Sequence, residues 1–242
     1  MEHPDIETPP DEVGIWRYMT LESFLFLMTR SRLYFCRADK FQDPWEGVWP
    51  KPIVRALRSQ EFAQSYKGKD LGETILRWSE NYRKSVFINC WCKNSHESAA
   101  MWSIYDGRGT SVAITSTIGR LKRAILDRDF YIGNVQYIDY RDGTIPTLNM
   151  LLPFFTKRKS FEHEQELRVL INELPLTGKK VDWAKASEEI LARADLRTLI
   201  DTVYVSPSAA LWVKDVVGEL LAKFQVAEAK VHQSRLYEAH VY

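Results

Sequence analysis

The chain has 242 residues, with 33 lysines and arginines against 32 aspartates and glutamates for a formal net charge of +1, and 45% of its residues are hydrophobic. That balance allows a sizeable apolar core, and near-neutrality excludes an overall field that would draw the chain to nucleic acid or an anionic membrane, so any polyanion must be bound locally. The cysteines, Cys36, Cys90 and Cys92, are odd in number and lie in apolar strand-like settings, which argues against a secreted disulfide framework, and no apolar run approaches the roughly 18 residues of a membrane span.

MEHPDIETPP at the N-terminus is acidic and proline-rich, without the apolar centre of a signal peptide. Residues 1–12 are therefore expected to be a flexible tail, and the expected location is cytoplasmic, with no membrane. GIWRYM, at 14–19, has strand composition, and Thr20 stands where an N-cap belongs, ahead of a helix in LESFLFLMTR with Glu22 in its first turn. RLYFCRA is a second strand. DKFQDPWEGVWPKP is a loop, because its Asp-Pro and Glu-Gly steps interrupt regular structure. Apolar residues three and four apart predict helices at 53–66 and 71–83, a helical insert over about 50–84. SVFINCWC, short and rich in β-branched and aromatic residues, is a strand. ESAAMWSIYDG is a helix closed by Gly107, and GTSVAITST is a strand leading into the amphipathic helix IGRLKRAILDRD. FYIGNVQYIDY is a further strand, and TIPTLNMLLPFFTKRKSF is mostly helical with a kink at Pro153. Beyond 172 the pattern offers a β segment near 180–183, a helix around 187–193, strand TVYVS, helix PSAALWVKDVVGELLAKF and a last strand near 232–237. Intermixed strands and helices predict a single α+β domain over 1–242, a mixed central β-sheet core with surrounding helices.

SFEHEQELRVLIN, at 160–172, places Glu162, Glu164 and Glu166 at every second position. If the whole stretch is a strand, these carboxylates and Arg168 share one face, roughly 7 Å apart, where they repel and raise each other's pKa. One reading is a solvated strand edge with Lys157, Arg158, Lys159 and Arg168 as countercharge. The other is a carboxylate pair lining a cleft, one stabilising positive charge on a reacting sugar and the other steering a nucleophile. Burial separates the two.

Other candidates carry the same ambiguity. Thr115, Ser116 and Thr117 close an apolar strand where a helix begins, which suits N-capping as well as a site. Arg17 is a lone cation between aromatics. Asp43, Trp45 and Glu46 occupy the irregular loop, where functional residues concentrate, although Asp43 also suits a turn cap and Trp45 a core plug. Met101, Trp102 and Tyr105 fall on one helical face, either as core or, for Trp102 and Tyr105, as an aromatic wall for a flat heterocycle. Cys90, Cys92 and His96 lack the second ligand pair of a structural zinc site, so no metal is expected. There is no glycine-rich phosphate loop of the usual nucleotide-binding kinds.

Taken in order, an arginine on the first strand, a strand-ending hydroxyl triplet and a Glu-x-Glu resemble the ADP-ribosyltransferase superfamily, whose arginine-type members carry Arg, Ser-Thr-Ser and Glu-x-Glu. The triplet here is Thr-Ser-Thr. The resemblance implies NAD as co-substrate, with Arg17 on a phosphate, Thr115 or Ser116 bracing the nicotinamide-ribose end, and Trp102 or Tyr105 stacking on nicotinamide or adenine. Glu166 would stabilise an oxocarbenium-like transition state and Glu164 would engage the acceptor. The blocks FQDPWEG, CWCKNSHESAAMWSIY, GTSVAITST and KRKSFEHEQELRV are also similar to a widespread bacterial family of uncharacterised function, with Phe-x-Asp-Pro-aromatic-Glu, Met-Trp-x-x-Tyr and Glu-x-Glu-x-Arg blocks. Its last segment resembles that of DNA-targeting ADP-ribosyltransferase toxins, a comparison that makes Arg37 an alternative phosphate ligand. Together the resemblances imply an enzyme transferring ADP-ribose to a macromolecular acceptor, protein or nucleic acid, in a toxin or defence setting with a neutralising partner protein. The alternative is a non-catalytic nucleotide- or protein-binding module.

Overall fold

The computed structural model describes residues 1, 3–65, 70–106, 109–226 and 229–238. β1 (Gly14–Thr20) runs directly into α1 (Leu21–Arg30), because the Thr20 side chain accepts the Ser23 amide as the expected N-cap. Ser31, in the left-handed conformation at φ 48°, then turns the chain into β2 (Arg32–Arg37). Three helices follow, α2 (Lys51–Leu57), α3 (Gln60–Ser65) and α4 (Leu71–Tyr82), then β3 (Val86–Cys92), α5 (Ala99–Tyr105), β4 (Ser111–Thr117) and α6 (Ile118–Ala124). Gly107, expected to close α5, lies outside the described residues. The single strand expected at 130–140 is two, β5 (Tyr131–Asn134) and β6 (Gln136–Ile138), and β7 (Thr156–Arg158) and β8 (Glu166–Asn172) come next. The chain finishes with the hairpin β9 (Leu176–Thr177) and β10 (Lys180–Val181), then β11 (Glu189–Arg193), α7 (Leu196–Leu199), β12 (Thr202–Val205), α8 (Leu211–Lys223) and β13 (Lys230–Gln233).

Nine of these strands form one sheet ordered β11-β2-β3-β1-β4-β12-β13, with β8 on the other edge of β3 and β5 beyond it. Within this sheet all pairings are antiparallel except β12 with β13, so the class is α+β with a mixed central sheet and surrounding helices, as the sequence predicts. One face of the sheet packs Ile15, Ile114, Leu167 and Val169 against α1, α6 and α8. The opposite face carries two smaller clusters, one with Ile88, Leu170, Trp49 and Phe154, the other with Trp16, Tyr18, Cys92 and Trp102. The boundary between those two clusters is where polar groups enter the interior.

Other expectations change more deeply. The N-terminal segment is packed: Ile6 is buried, Thr8 Oγ1 donates to the Ile132 carbonyl at 2.6 Å, and the Asn134 amide donates to the Glu7 carbonyl at 2.9 Å. Gly133 makes room for it, since a Cβ there would lie 2.4 Å from Ile6. The helix expected at 144–161 is reduced to a 3-10 turn, Leu152–Phe155, because Pro146 and Pro153 withhold backbone donors. The helix expected around 187–193 is the edge strand β11, whose Ile190 and Ala192 point inward at period two while its backbone completes β2. Finally, the strand expected from residue 160 begins only at Glu166: Lys159–Glu164 is a 3-10 turn, and Gln165 reverses the backbone at φ 45°.

Candidate active site

The site follows from a split in the sheet. All seven residues of β3 pair with β8 along one edge, from Val86 opposite Asn172 to Cys92 opposite Glu166. The other edge is shared: β2 pairs at Ile88 and Phe87, β1 pairs at Cys92 alone, and the two strands diverge between those points. Asn89, Cys90 and Trp91 therefore face a gap where a ladder would otherwise run. Side chains fill it instead. Arg17 Nη1 donates to the Cys90 carbonyl at 3.0 Å, and Asn89 Nδ2 donates to the Tyr34 carbonyl at 2.8 Å.

Two cavities open on this gap, of about 620 Å³ and about 310 Å³, and they share Arg17, Tyr18, Phe41, Cys90 and Tyr105 as lining. Together they have the volume expected of a small-molecule site. The larger is walled by apolar residues such as Phe26, Leu33 and Ile88 together with Arg17, Glu22, Arg32 and Glu189. The smaller holds Glu46, Lys157, Glu164 and Glu166. Tyr105 stands between them, half-exposed and nearly parallel to Tyr18, with centroids 6.5 Å apart and planes at 24°.

The charges at the two ends differ in kind. Arg17 lies over the Trp91 ring, 5.8 Å from its centroid, and has no carboxylate partner among the described residues. Burial lowers its pKa, opposed by Cys90 and Tyr105. At the other end, Lys157 Nζ lies 2.6 Å from Glu164, 3.3 Å from Glu166 and 3.5 Å from Glu46. Arg168, fully buried, grips both oxygens of Glu166 at 3.0 Å each and reaches Glu46 at 2.9 Å. Strand pairing explains the convergence: Glu166 opposite Cys92 and Arg168 opposite Cys90 put both side chains on the face between the two small clusters. Burial would push the Glu166 carboxyl up, but Arg168 and Lys157 outweigh it and hold the group near 2, well below the ordinary range. Lys157, whose charge burial disfavours, is kept protonated by Glu166 and Glu46. Burial, reinforced by Glu166, pushes the Cys90 thiol far up, so it stays protonated.

The structure brings together Arg17, Tyr105, Glu164 and Glu166 from the sequence candidates and sends the rest elsewhere. Thr115 Oγ1 donates to the Thr202 carbonyl at 3.4 Å, Ser116 Oγ to the Leu199 carbonyl at 2.5 Å, and Thr117 caps α6. Ser116 pairs with Ile15 on the far face of the sheet, while Thr115, opposite Trp16 on the near face, lines neither cavity. Trp102 is core: it donates to Glu97 at 3.0 Å and buttresses Tyr18 edge-on at 5.0 Å. Arg37 is committed to Asp39 at 2.6 Å and to Glu188 at 3.2 Å and lines neither cavity. Glu162 lies outside the cleft, on the 3-10 turn.

Sequence reasoning took Lys157 and Arg168 only as countercharge at a strand edge and Cys90 only as a rejected metal ligand, and it left Glu46 undecided. The signals for Glu46 were its place in an irregular loop and at the end of the Phe-x-Asp-Pro-aromatic-Glu block. That loop is held by Arg158, which reaches Asp43 at 3.0 Å, while Asp43 also caps the turn by accepting the Trp45 amide. Tyr137, also unforeseen, accepts the Glu166 amide at 2.8 Å and fixes the backbone from which the carboxylate springs. Among the described residues, no group of three or more His, Cys, Asp or Glu is arranged to hold a metal ion, and no helix is long and apolar enough to cross a membrane.

No family model matches the chain, so the bacterial family suggested by its motif blocks stands on those residues alone, and no curated protein matches it either. Among solved structures it is similar to Thermus sp. 2.9 DarT in complex with NAD+, at 9% identity and a TM-score of 0.44, over 94% of this chain and 98% of that one. It is likewise similar to the same protein in complex with ADP-ribosylated ssDNA, at 9% identity and a TM-score of 0.43, over 95% of this chain and 98% of that one.

Proposed function

We propose that the cleft binds NAD and that the chain cleaves the bond between nicotinamide and ribose, transferring ADP-ribose to a macromolecular acceptor, a protein or a nucleic acid. The observation that carries this reading is the polarity of the cleft. Arg17, a partly buried guanidinium without a carboxylate partner among the described residues, lines both cavities, and the smaller one adds three carboxylates held by two cations, a surplus of one negative charge. A ligand that matches it carries an anion, a cation and flat rings. NAD has that pattern: its phosphates suit Arg17, and its pyridinium and the ribose beside it suit the carboxylates.

In this reading the C1′–N bond breaks with its electron pair going to the nicotinamide nitrogen, which neutralises the pyridinium and leaves an oxocarbenium-like ribose. Glu166, ionised, buried and held by Arg168 and Lys157, stabilises that charge where the interaction is stronger than in bulk solvent. Glu164, on the more exposed turn two residues earlier, takes the proton of the acceptor as its nucleophile attacks C1′. Tyr105 and Phe41 supply faces for the heterocycles. One observation favours a second reading, binding without chemistry: Arg168 and Lys157 already occupy both Glu166 oxygens.

Nicotinamide release from NAD separates the two. Wild type is expected to release it and Glu166→Gln to lose roughly 100-fold or more in rate, with an unchanged far-ultraviolet circular dichroism spectrum. Equal release by both proteins would remove the assignment, and a ligand-induced rise in melting temperature without release would establish the binding module.

A further inference from the structure

We propose that Glu46 is a positioning residue for Glu166, acting through Arg168; the inference rests on the reading that Glu166 is the reacting carboxylate. Every donor-bearing nitrogen of the Arg168 fork is committed. Nε and Nη2 take the two Glu166 oxygens, Nη2 also takes Glu46 Oε1 at 2.9 Å, and Nη1 takes the Phe154 carbonyl at 2.7 Å with Glu46 Oε2 2.8 Å away. One carboxylate would neutralise the guanidinium, and Glu166 already does so bidentately. Glu46 is a second carboxylate with its side chain 1% exposed, and burying it carries a desolvation cost that an apolar residue of similar volume would avoid. What it adds is geometry: with Glu46 on one side and Phe154 on another, the planar fork cannot swing, and the carboxylate it grips cannot turn with it.

The loop that carries Glu46 is built to hold that position. The Glu46 amide donates to the Asp43 carbonyl at 3.1 Å, and Asp43 is tied to Arg158 at 3.0 Å. Gly47 follows at φ +68°, where a Cβ would lie 2.2 Å from Phe154, so the loop presses flat against the residue whose carbonyl is the remaining Arg168 acceptor. Loop and Phe154 close a ring of contacts on the Arg168 fork, whose remaining edge holds the Glu166 carboxylate. The negative charge of Glu46 also offsets part of the pull of Arg168, which leaves Glu166 a stronger acceptor for a ligand hydroxyl.

Steady-state NAD cleavage by wild type, Glu46→Gln and Glu46→Asp tests this. Misplacing a reacting group by about 1 Å costs roughly 100-fold, so kcat is expected to fall by about that factor in Glu46→Gln while KM stays within about twofold, because Arg17 is untouched. Glu46→Asp is expected to recover part of kcat. An unchanged kcat in folded Glu46→Gln, or a loss shared equally by kcat and KM that Glu46→Asp does not recover, overturns the proposal. Wild-type protein that leaves NAD intact removes the functional reading by itself. The positioning role is then decided by crystal structures of wild type and Glu46→Gln: a displaced Glu166 carboxylate supports it, and an unmoved one overturns it.

Discussion

Arg17→Met removes the guanidinium and keeps an unbranched apolar stem, so it separates what Arg17 does for the fold from what it does for a ligand. The fold loses one hydrogen bond to the Cys90 carbonyl, about 1 kcal/mol, and the contact over the Trp91 ring, about 0.5–1 kcal/mol. Against that, the substitution ends the desolvation of a cation that has no carboxylate partner among the described residues, a cost of similar or larger size reduced here by partial exposure. The two nearly cancel, and stability is expected to change by less than about 1 kcal/mol, a shift of roughly 2–4 °C in melting temperature for a chain of this length. Ligand binding has no such compensation. A charge-assisted contact from a guanidinium to phosphate contributes about 1.5–3 kcal/mol, so Kd for NAD is expected to rise about 10- to 150-fold. Isothermal titration calorimetry gives the affinity and differential scanning fluorimetry the stability on the same two samples. An unchanged Kd, or destabilisation beyond about 3 kcal/mol, would show that Arg17 serves the fold and would refute the assignment of an anion to it.

Acid stability reports on the carboxylate cluster. Because the folded state lowers the Glu166 pKa from 4.5 to about 2, its contribution is complete above the ordinary value and is lost as pH falls from there toward 2. Glu166→Gln is therefore expected to flatten the fall in stability over that window, measured by urea unfolding at successive pH values, and parallel curves for the two proteins would contradict it. The hydroxyl triplet gives the complementary test. Ser116→Ala removes a buried hydrogen bond and is expected to cost about 1–2 kcal/mol of stability while leaving kcat and KM for NAD within about twofold. A tenfold loss of activity in folded Ser116→Ala would return the triplet to the site.

The resemblance placed Arg17, Glu164 and Glu166 in one site on motif order alone, and the cleft contains all three, but for reasons the order does not supply. Glu164 and Glu166 were expected together as neighbours on one strand face. They meet instead because a 3-10 turn and the left-handed Gln165 bring the chain round to Lys157, which holds both. The triplet, the third member of the motif, satisfies the sheet and a helix terminus, which are its ordinary chemical preferences. Arg168 and Glu46 were hidden for a plainer reason: they are 122 positions apart, and each taken singly is a charged residue of the kind that covers any surface.

Local pattern determined the elements whose signal is carried by near neighbours. β1, β3, β4 and β12 follow from short runs of β-branched and aromatic residues, and α1 and α8 from apolar spacing, because side-chain direction repeats with the backbone over two or four residues. Long-range pairing decided what local pattern misread. Residues 189–193 form a strand because β2 has an open edge, and the N-terminal segment packs because Gly133 leaves it space. The site exists because β1 and β2 part along one edge of β3 while Lys157 and Arg168 converge on Glu166. No single stretch of chain encodes a gap between two strands or the burial of a charge, since both depend on which distant residues arrive beside them.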